Sequence, residues 1–463
     1  MTALETFSSL WRELDGRADA LSALALAGVD PVLPSSFRVG TAAQTSIAAV
    51  ALAVREIDRL RTGREQSVSV DMRHAAVECR SERYLKVVGA TPGELWDDIA
   101  GAYECGDGRY VRLHTNFPHH RDGVLALLGA KQQRDAVAKA LRGWTAEDFE
   151  TAATDSGLVV AMMRSFAEWD AHPHSAAIAA QPLVSVRRIG DAPRRSLTPG
   201  ARPLSDLRVL EMTRIIAGPV AGRALAAHGA DVLRLIGPSV PTIETLDIDS
   251  GRGKRSAFLD LDRPADVRQL HALAGEADVF LQSYRPGALA ARGLSPVALA
   301  SIRPGIIVGS LSAYGLSGAW AGKRGFDSLV QTATGFNAAE AQAAGGTRPR
   351  PLPMQILDHA SGYLLAFGIA MTLLRQLQEG GSWQVEVSLA RTAHWLRGLG
   401  RIEGGFDCPE QPHEAVGDLL DQTESAFGRL ETVRHAAEMS QTHAAWSAPE
   451  PFGASAAVWA SRA

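Results

Sequence analysis

The chain has 463 residues, of which 46% are hydrophobic and 21% charged, with a formal net charge of −4. That length exceeds one ordinary core, so two or more domains are expected, and the composition is that of a soluble globular protein without the basic excess of a nucleic-acid groove. Cys79, Cys105 and Cys408 are widely spaced with no CxxC pair, which argues against a disulfide framework and against a zinc site.

The first residues, MTALETFSSLWRELDG, lack a basic segment followed by an apolar one, so they do not read as a signal peptide. Residues 41–80 align without a gap on 358–397, with Ala43 matching Ala360, Gly63 matching Gly380, Val68 matching Val385 and Arg80 matching Arg397. Both stretches read as an Ala-rich helix, a Gly turn, a Val-x-Val strand and a further helix. Two unrelated alanine-rich helices would give a similar picture. The copies differ at one telling place, where Thr41 stands at the position of Asp358.

Farther on, Tyr103 to Leu113 has the pattern of a hairpin around Gly106-Asp107-Gly108. Helical periodicity returns in RDGVLALLGA, RDAVAKALRG and AEDFETAATDSG, so 95–185 reads as a small α+β domain. Residues 186–203, rich in Pro, Gly and Arg, read as a linker. From Leu204 short β-rich runs alternate with amphipathic stretches (LRVLEM, GPVAGRALAAHG, ADVLRLI, ADVFLQSY, GIIVGSLSAY), which predicts a Rossmann-like α/β domain with a parallel sheet over 204–400. Its longest apolar stretch, Tyr363 to Leu374, is too short to span a bilayer and reads as a buried helix. Residues 401–463 are expected as a tail packed on that domain.

The chain contains no GxxxxGK[ST] loop, HExxH, GxSxG elbow or strand followed by GxGxxG, which disfavours P-loop chemistry, serine hydrolysis and hydride transfer. His119 with His120, and His172 with His174, lack metal-ligand spacing and read as surface residues. Asp358 follows the β-like run PLPMQIL and precedes an apolar helix. It is a helix N-cap or a nucleophile held beside backbone N–H donors that could also hold an oxyanion. The turn AGPVAG, 217–222, either admits a phosphate to the backbone or packs a helix closely. GRGKRS, 251–256, together with Arg285, is a polyphosphate contact or a solvated basic loop.

In order, these pieces resemble the family III coenzyme A transferases, the CaiB/BaiF superfamily. LSDLRVLEMTRIIAGPVAGRALAAHGADVLRL is similar to the family's opening strand, AGP turn, helix and second strand. GRGKRSAFLDL is similar to its NRNKRSVALDL, ADVFLQSYRPGALAARGL to its ADVVVENFRPGxxxRLGL, and MQILDHASGYLLAFGIAMTLL falls on the segment with its catalytic aspartate. TGREQSVSVDMRHAAV, in the helical segment 1–94, resembles the second part of the family's large domain, so the chain looks rearranged and partly duplicated.

The resemblance implies a cytoplasmic CoA-transferase, with coenzyme A carried as substrate and no metal. Acyl-CoA and carboxylic acids would be its partners, with neither nucleic acid nor membrane, in a homodimer or a pseudo-dimeric monomer. Asp358 would be the nucleophile, passing through an aspartyl anhydride and an aspartyl-CoA thioester. Ile215, Ala217, Gly218, Lys254, Arg255, Ser283, Tyr284, Arg285 and Tyr314 would contact CoA. Phe326 stands where the racemase branch has His, beside Asp327, so racemisation is disfavoured; Ile216 and Gly237 replace a Gln and a basic residue common in the family, and a glycine-quartet loop is absent. The alternatives are isomerisation or addition–elimination on CoA thioesters by the same fold, and a CoA-binding protein without catalysis.

Overall fold

The computed structural model describes residues 2–90, 93–198 and 200–461. Among them the central sheet has seven strands, in the order Lys254–Phe258, Asp231–Ile236, Arg208–Met212, Val279–Gln282, Ile307–Ser312, Ser382–Ser388 and Ser185–Gly190. The first six run parallel, and the last pairs antiparallel with Ser382–Ser388. The inner strands of this sheet are largely buried along their length, as in sheets covered on both faces. The chain order reverses between Arg208–Met212 and Val279–Gln282, and a crevice beyond the carboxyl ends of such strands is the usual place for a ligand.

Two expectations about this domain need correction. The linker does not begin at 186: Val186 pairs with Val385 in the edge strand, and Arg187 bonds Gln384 at 2.7 Å. An edge strand needs only one apolar face, so its arginines disguised it. The basic stretch at 254 is likewise not a loop, since Lys254–Phe258 is a parallel edge strand.

The sequence copies at 41–80 and 358–397 adopt corresponding structures. The helices Val39–Thr62 and Ile356–Glu379 have 24 residues each, and a strand and a further helix follow both. The two long helices pack against one another in the main core, with Ile47, Val50 and Val54 buried alongside Leu364, Phe367 and Met371. Ile356–Glu379 is long and apolar enough to cross a membrane by length and composition, but it lies buried inside the protein. A buried hydroxyl links the N-terminal part to the α/β domain: Arg223 reaches Asp249 at 2.6 Å within that domain, and Ser81 donates to the same carboxylate at 2.7 Å.

The smaller unit carries a three-stranded antiparallel sheet of Gly101–Glu104, Tyr110–Leu113 and Val160–Met162 beside helices such as Ala146–Asp155. Residues after 400 divide their contacts. Ala437–Met439 pairs with Val68–Val70 of the N-terminal part. Residues 445–459 instead run along the α/β domain: Gly253 donates to Ser447, Ser256 donates to Glu450, Ser455 donates to Ser256, and Trp446 and Trp459 donate to the carbonyls of Arg223 and Leu273. This strap covers the outer side of Lys254–Phe258.

Candidate active site

Asp358 lies in the first turn of Ile356–Glu379, but it is not the cap of that helix; the N-cap is Gln355. The run PLPMQIL is irregular rather than a strand, with Pro351 and Pro353 lacking the N–H groups that a ladder needs. Capping falls to a distant residue. Asp327 accepts the Asp358 backbone N–H at 3.0 Å and also faces the Leu357 N–H, so those donors are not free to hold an oxyanion. Asp30 does the same for the twin helix, accepting the Gly40 and Thr41 N–H groups at 3.0 and 2.9 Å.

The Asp358 side chain is 6% exposed, and among the described residues nothing donates a hydrogen bond to its carboxyl group. Burial pushes its pKa well above the usual carboxylate range, and the neighbouring charges of Asp327 and Glu82 add to the rise. Asp327 is itself pushed up to about 6 by burial. Glu82 stays below the ordinary range in spite of burial, because His359 Nε2 lies 3.0 Å from its carboxylate. An ionised Asp358 is therefore a high-energy, poorly solvated anion.

It opens onto a cavity of about 370 Å³ at the reversal point of the sheet. Of the residues expected at a CoA site, Ile215, Ala217, Ser283, Tyr284, Arg285 and Tyr314 line this cavity with Asp358. They come from loops after three parallel strands, which is why they converge. Ile215 has φ 73°, a left-handed conformation that is strained for a β-branched residue. The helix that follows, Ala217–Ala226, starts without a side-chain cap, and Ile216 and Ala217 at its start line the cavity.

Three expected residues lie elsewhere. Lys254 is 3% exposed and its ammonium group sits 2.8 Å from Glu211. Arg255 is paired with Asp231 at 2.9 Å and donates to the Val458 carbonyl. Gly218 is buried against the sheet, where a Cβ would come within 2.5 Å of Thr213, and one at Gly222 would collide with Glu211. The AGPVAG glycines thus serve close helix packing over a buried ion pair.

The cavity's cations are Arg214, Arg285, Lys323 and Arg324, of which sequence reading singled out only Arg285. Lys323 is engaged by Glu150 at 3.0 Å, whereas no carboxylate among the described residues forms an ion pair with Arg285 or Arg324. His119 and His120 line the same wall, and burial lowers both, His120 to about 4, so they are neutral at pH 7. His120 and His174 are not surface residues: His120 is buried, and His174 bonds the Tyr314 carbonyl at 2.7 Å. Among the described residues no cluster of three or more His, Cys, Asp or Glu could hold a metal ion.

Residues 204–399 match the model of CoA-transferase family III. Over that segment, which is less than half of the chain, the sequence is similar to this family. It is 33% identical over 210 residues to a probable fatty acyl-CoA transferase of Mycobacterium tuberculosis, covering 42% of this chain and 53% of that one. An acyl-CoA transferase of Gibberella moniliformis is 28% identical over 405 residues, covering 78% of this chain and 70% of its own length. A succinate–glutarate CoA-transferase of Agrobacterium fabrum is 29% identical over 205 residues, covering 40% and 51%. The chain thus spans about half the length of the two bacterial relatives. A crystal structure of the Mycobacterium tuberculosis protein aligns with 43% of this chain and 56% of its own at 34% identity, with a TM-score of 0.41.

Proposed function

We propose that the protein transfers coenzyme A between an acyl-CoA and a carboxylic acid, with Asp358 as nucleophile. The observation that carries this reading is one buried carboxyl group lining a cavity that Arg285 and Arg324 also line, neither of them paired with a carboxylate among the described residues. Phosphates of CoA would pair with Arg285 and Arg324, leaving the thioester to reach Asp358. An Asp358 oxygen attacks the thioester carbonyl, the C–S bond breaks, and CoA thiolate leaves behind an aspartyl anhydride. The thiolate then attacks the Asp358 carbonyl, releasing the donor acid and forming an aspartyl-CoA thioester. The acceptor carboxylate repeats the sequence in reverse and departs as its CoA ester. The uncapped start of Ala217–Ala226 supplies partial positive charge beside the reacting carbonyl.

The test is incubation with acyl-CoA donors and hydroxylamine, followed by mass spectrometry of the peptide containing Asp358. A hydroxamate there supports the reading; none with any donor overturns it in favour of a CoA-binding protein. The intrachain pairing of the twin helices favours a pseudo-dimeric monomer over a homodimer.

Two further results are expected. Asp327→Asn removes a negative charge that raises the Asp358 pKa, while the amide oxygen can still accept the Asp358 N–H, so the acid limb of kcat/KM against pH should move to lower pH. Reversing Arg285 and Arg324 to Glu should weaken CoA binding by about tenfold or more per site, with the loss largest at low salt in calorimetric titrations.

A further inference from the structure

Asp358 also borders a second, smaller cavity, which Phe326 lines as well. Its volume is about 50 Å³, and it shares Ile215, Ile216, Phe326 and Asp358 with the larger one. Beyond it lies an open cleft of about 550 Å³, which shares Leu95, Trp96 and Ile243 with the small cavity. Through these shared walls the small cavity adjoins both larger spaces, with Glu82, Arg83 and Asn116 also common to it and the cleft, and it forms a constriction beside Asp358.

The constriction is mostly apolar. Leu95, Trp96, Ile243 and Leu246 form its outer half, and Ile215, Ile216 and Phe326 the inner half. Several polar groups at its wall have partners within the protein, whereas His114 Nδ1 and Ser328 Oγ, both buried, have none among the described residues. Arg83 donates to Gln355 at 3.2 Å and lies 3.7 Å from Glu82. Asn116 accepts the Asp97 N–H and donates to the Leu95 carbonyl. His114 is stacked on Phe326 at 3.9 Å, and its burial keeps it neutral. With Glu82 and Asp327 also facing this space, a donor ending in a carboxylate would meet like charge and no uncommitted cation.

Building on the CoA-transferase reading, we propose that this constriction is the acyl subsite and that it selects linear, unbranched aliphatic acyl groups, whose distal carbons emerge into the outer cleft. CoA then lies on the cationic side of Asp358 and the hydrocarbon on the other, placing the thioester carbonyl at the carboxyl group between them.

The experiment measures equilibrium binding of propionyl-, butyryl-, hexanoyl-, octanoyl-, isobutyryl- and succinyl-CoA to the full chain carrying Asp358→Asn, alongside hydroxamate formation in the unsubstituted protein. Affinity is expected to rise about threefold to fourfold per methylene along the linear series, with succinyl-CoA no tighter than butyryl-CoA and isobutyryl-CoA weaker. Ile243→Phe, which narrows the passage, should reduce octanoyl-CoA binding at least about tenfold more than propionyl-CoA binding. Ile216→Ala, in the inner half where the α-branch would lie, should relieve the discrimination against the branched donor. Hydroxamate at Asp358 with a flat chain-length series, or succinyl-CoA preferred through Arg83, would overturn the subsite while leaving the transferase intact. A chain-length slope without hydroxamate would keep the subsite and overturn the transferase.

Discussion

Asp358→Asn should abolish CoA transfer, lowering kcat/KM by roughly 10³-fold or more, while leaving the fold at least as stable as before. The activity loss follows from removing the carboxylate oxygen proposed as the nucleophile on the cavity wall. The stability result follows from linkage. The folded-state pKa of Asp358 is raised, so between the unfolded and folded pKa values the native state holds more protons than the unfolded chain, and stability falls as pH rises through that window. An amide cannot ionise and escapes this cost. The helix does not lose a cap either, because Asp327 provides it. Melting curves of both proteins at neutral and mildly acidic pH check the claim: the variant's advantage should grow with pH. A variant that melts lower throughout would mean that the carboxylate has a stabilising partner.

Lys254→Ala should do the reverse, destabilising the protein by about 3–5 kcal/mol. Lys254 is pushed down to about 8 by burial, and its ammonium group is held by Glu211 and the Pro219 carbonyl. Removing it strands a fully buried carboxylate beneath Ala217–Ala226. Chemical denaturation reads the loss directly. Replacing Glu211 and Lys254 together by Met should recover much of it, since a buried pair of apolar residues avoids desolvating two charges. Recovery in the double variant separates an ion-pair role from direct contact with CoA.

The alternation of short Val- and Leu-rich runs with amphipathic stretches from 204 onward made the parallel sheet legible, because both periodicities are local. Asp358 was singled out through the segment around it, and it lines the cavity at the strand ends. What could not be read was which charges face one another. Lys254 and Arg285 look alike in sequence; one is matched by Glu211, 43 residues earlier, and the other by no carboxylate among the described residues. Arg324 and Asp327 come to the cavities from the segment after the strand Ile307–Ser312, and no local pattern there marks which charges they will face. His120 was misjudged because a neighbouring His suggests a wet surface, whereas burial here depends on how the small unit docks. The corresponding carboxylates Asp30 and Asp327 sit ahead of their helices at unequal distances, so a gapless alignment does not pair them.

The tail segment from Ser447 to Ser455 has a consequence for how molecules of this protein meet. A parallel sheet that ends in an uncovered strand offers unsatisfied amides to any neighbour, and growth into ribbons follows easily. Here the protein fills part of that vacancy from its own sequence, with Ser447, Glu450 and Ser455 answering the main chain at Gly253 and Ser256. The opposite margin is terminated by an antiparallel strand bearing Arg187 and Arg188. The two borders of the sheet are thus finished by different means, one by a covering segment and the other by a strand whose arginines are held by Gln384 and Asp191.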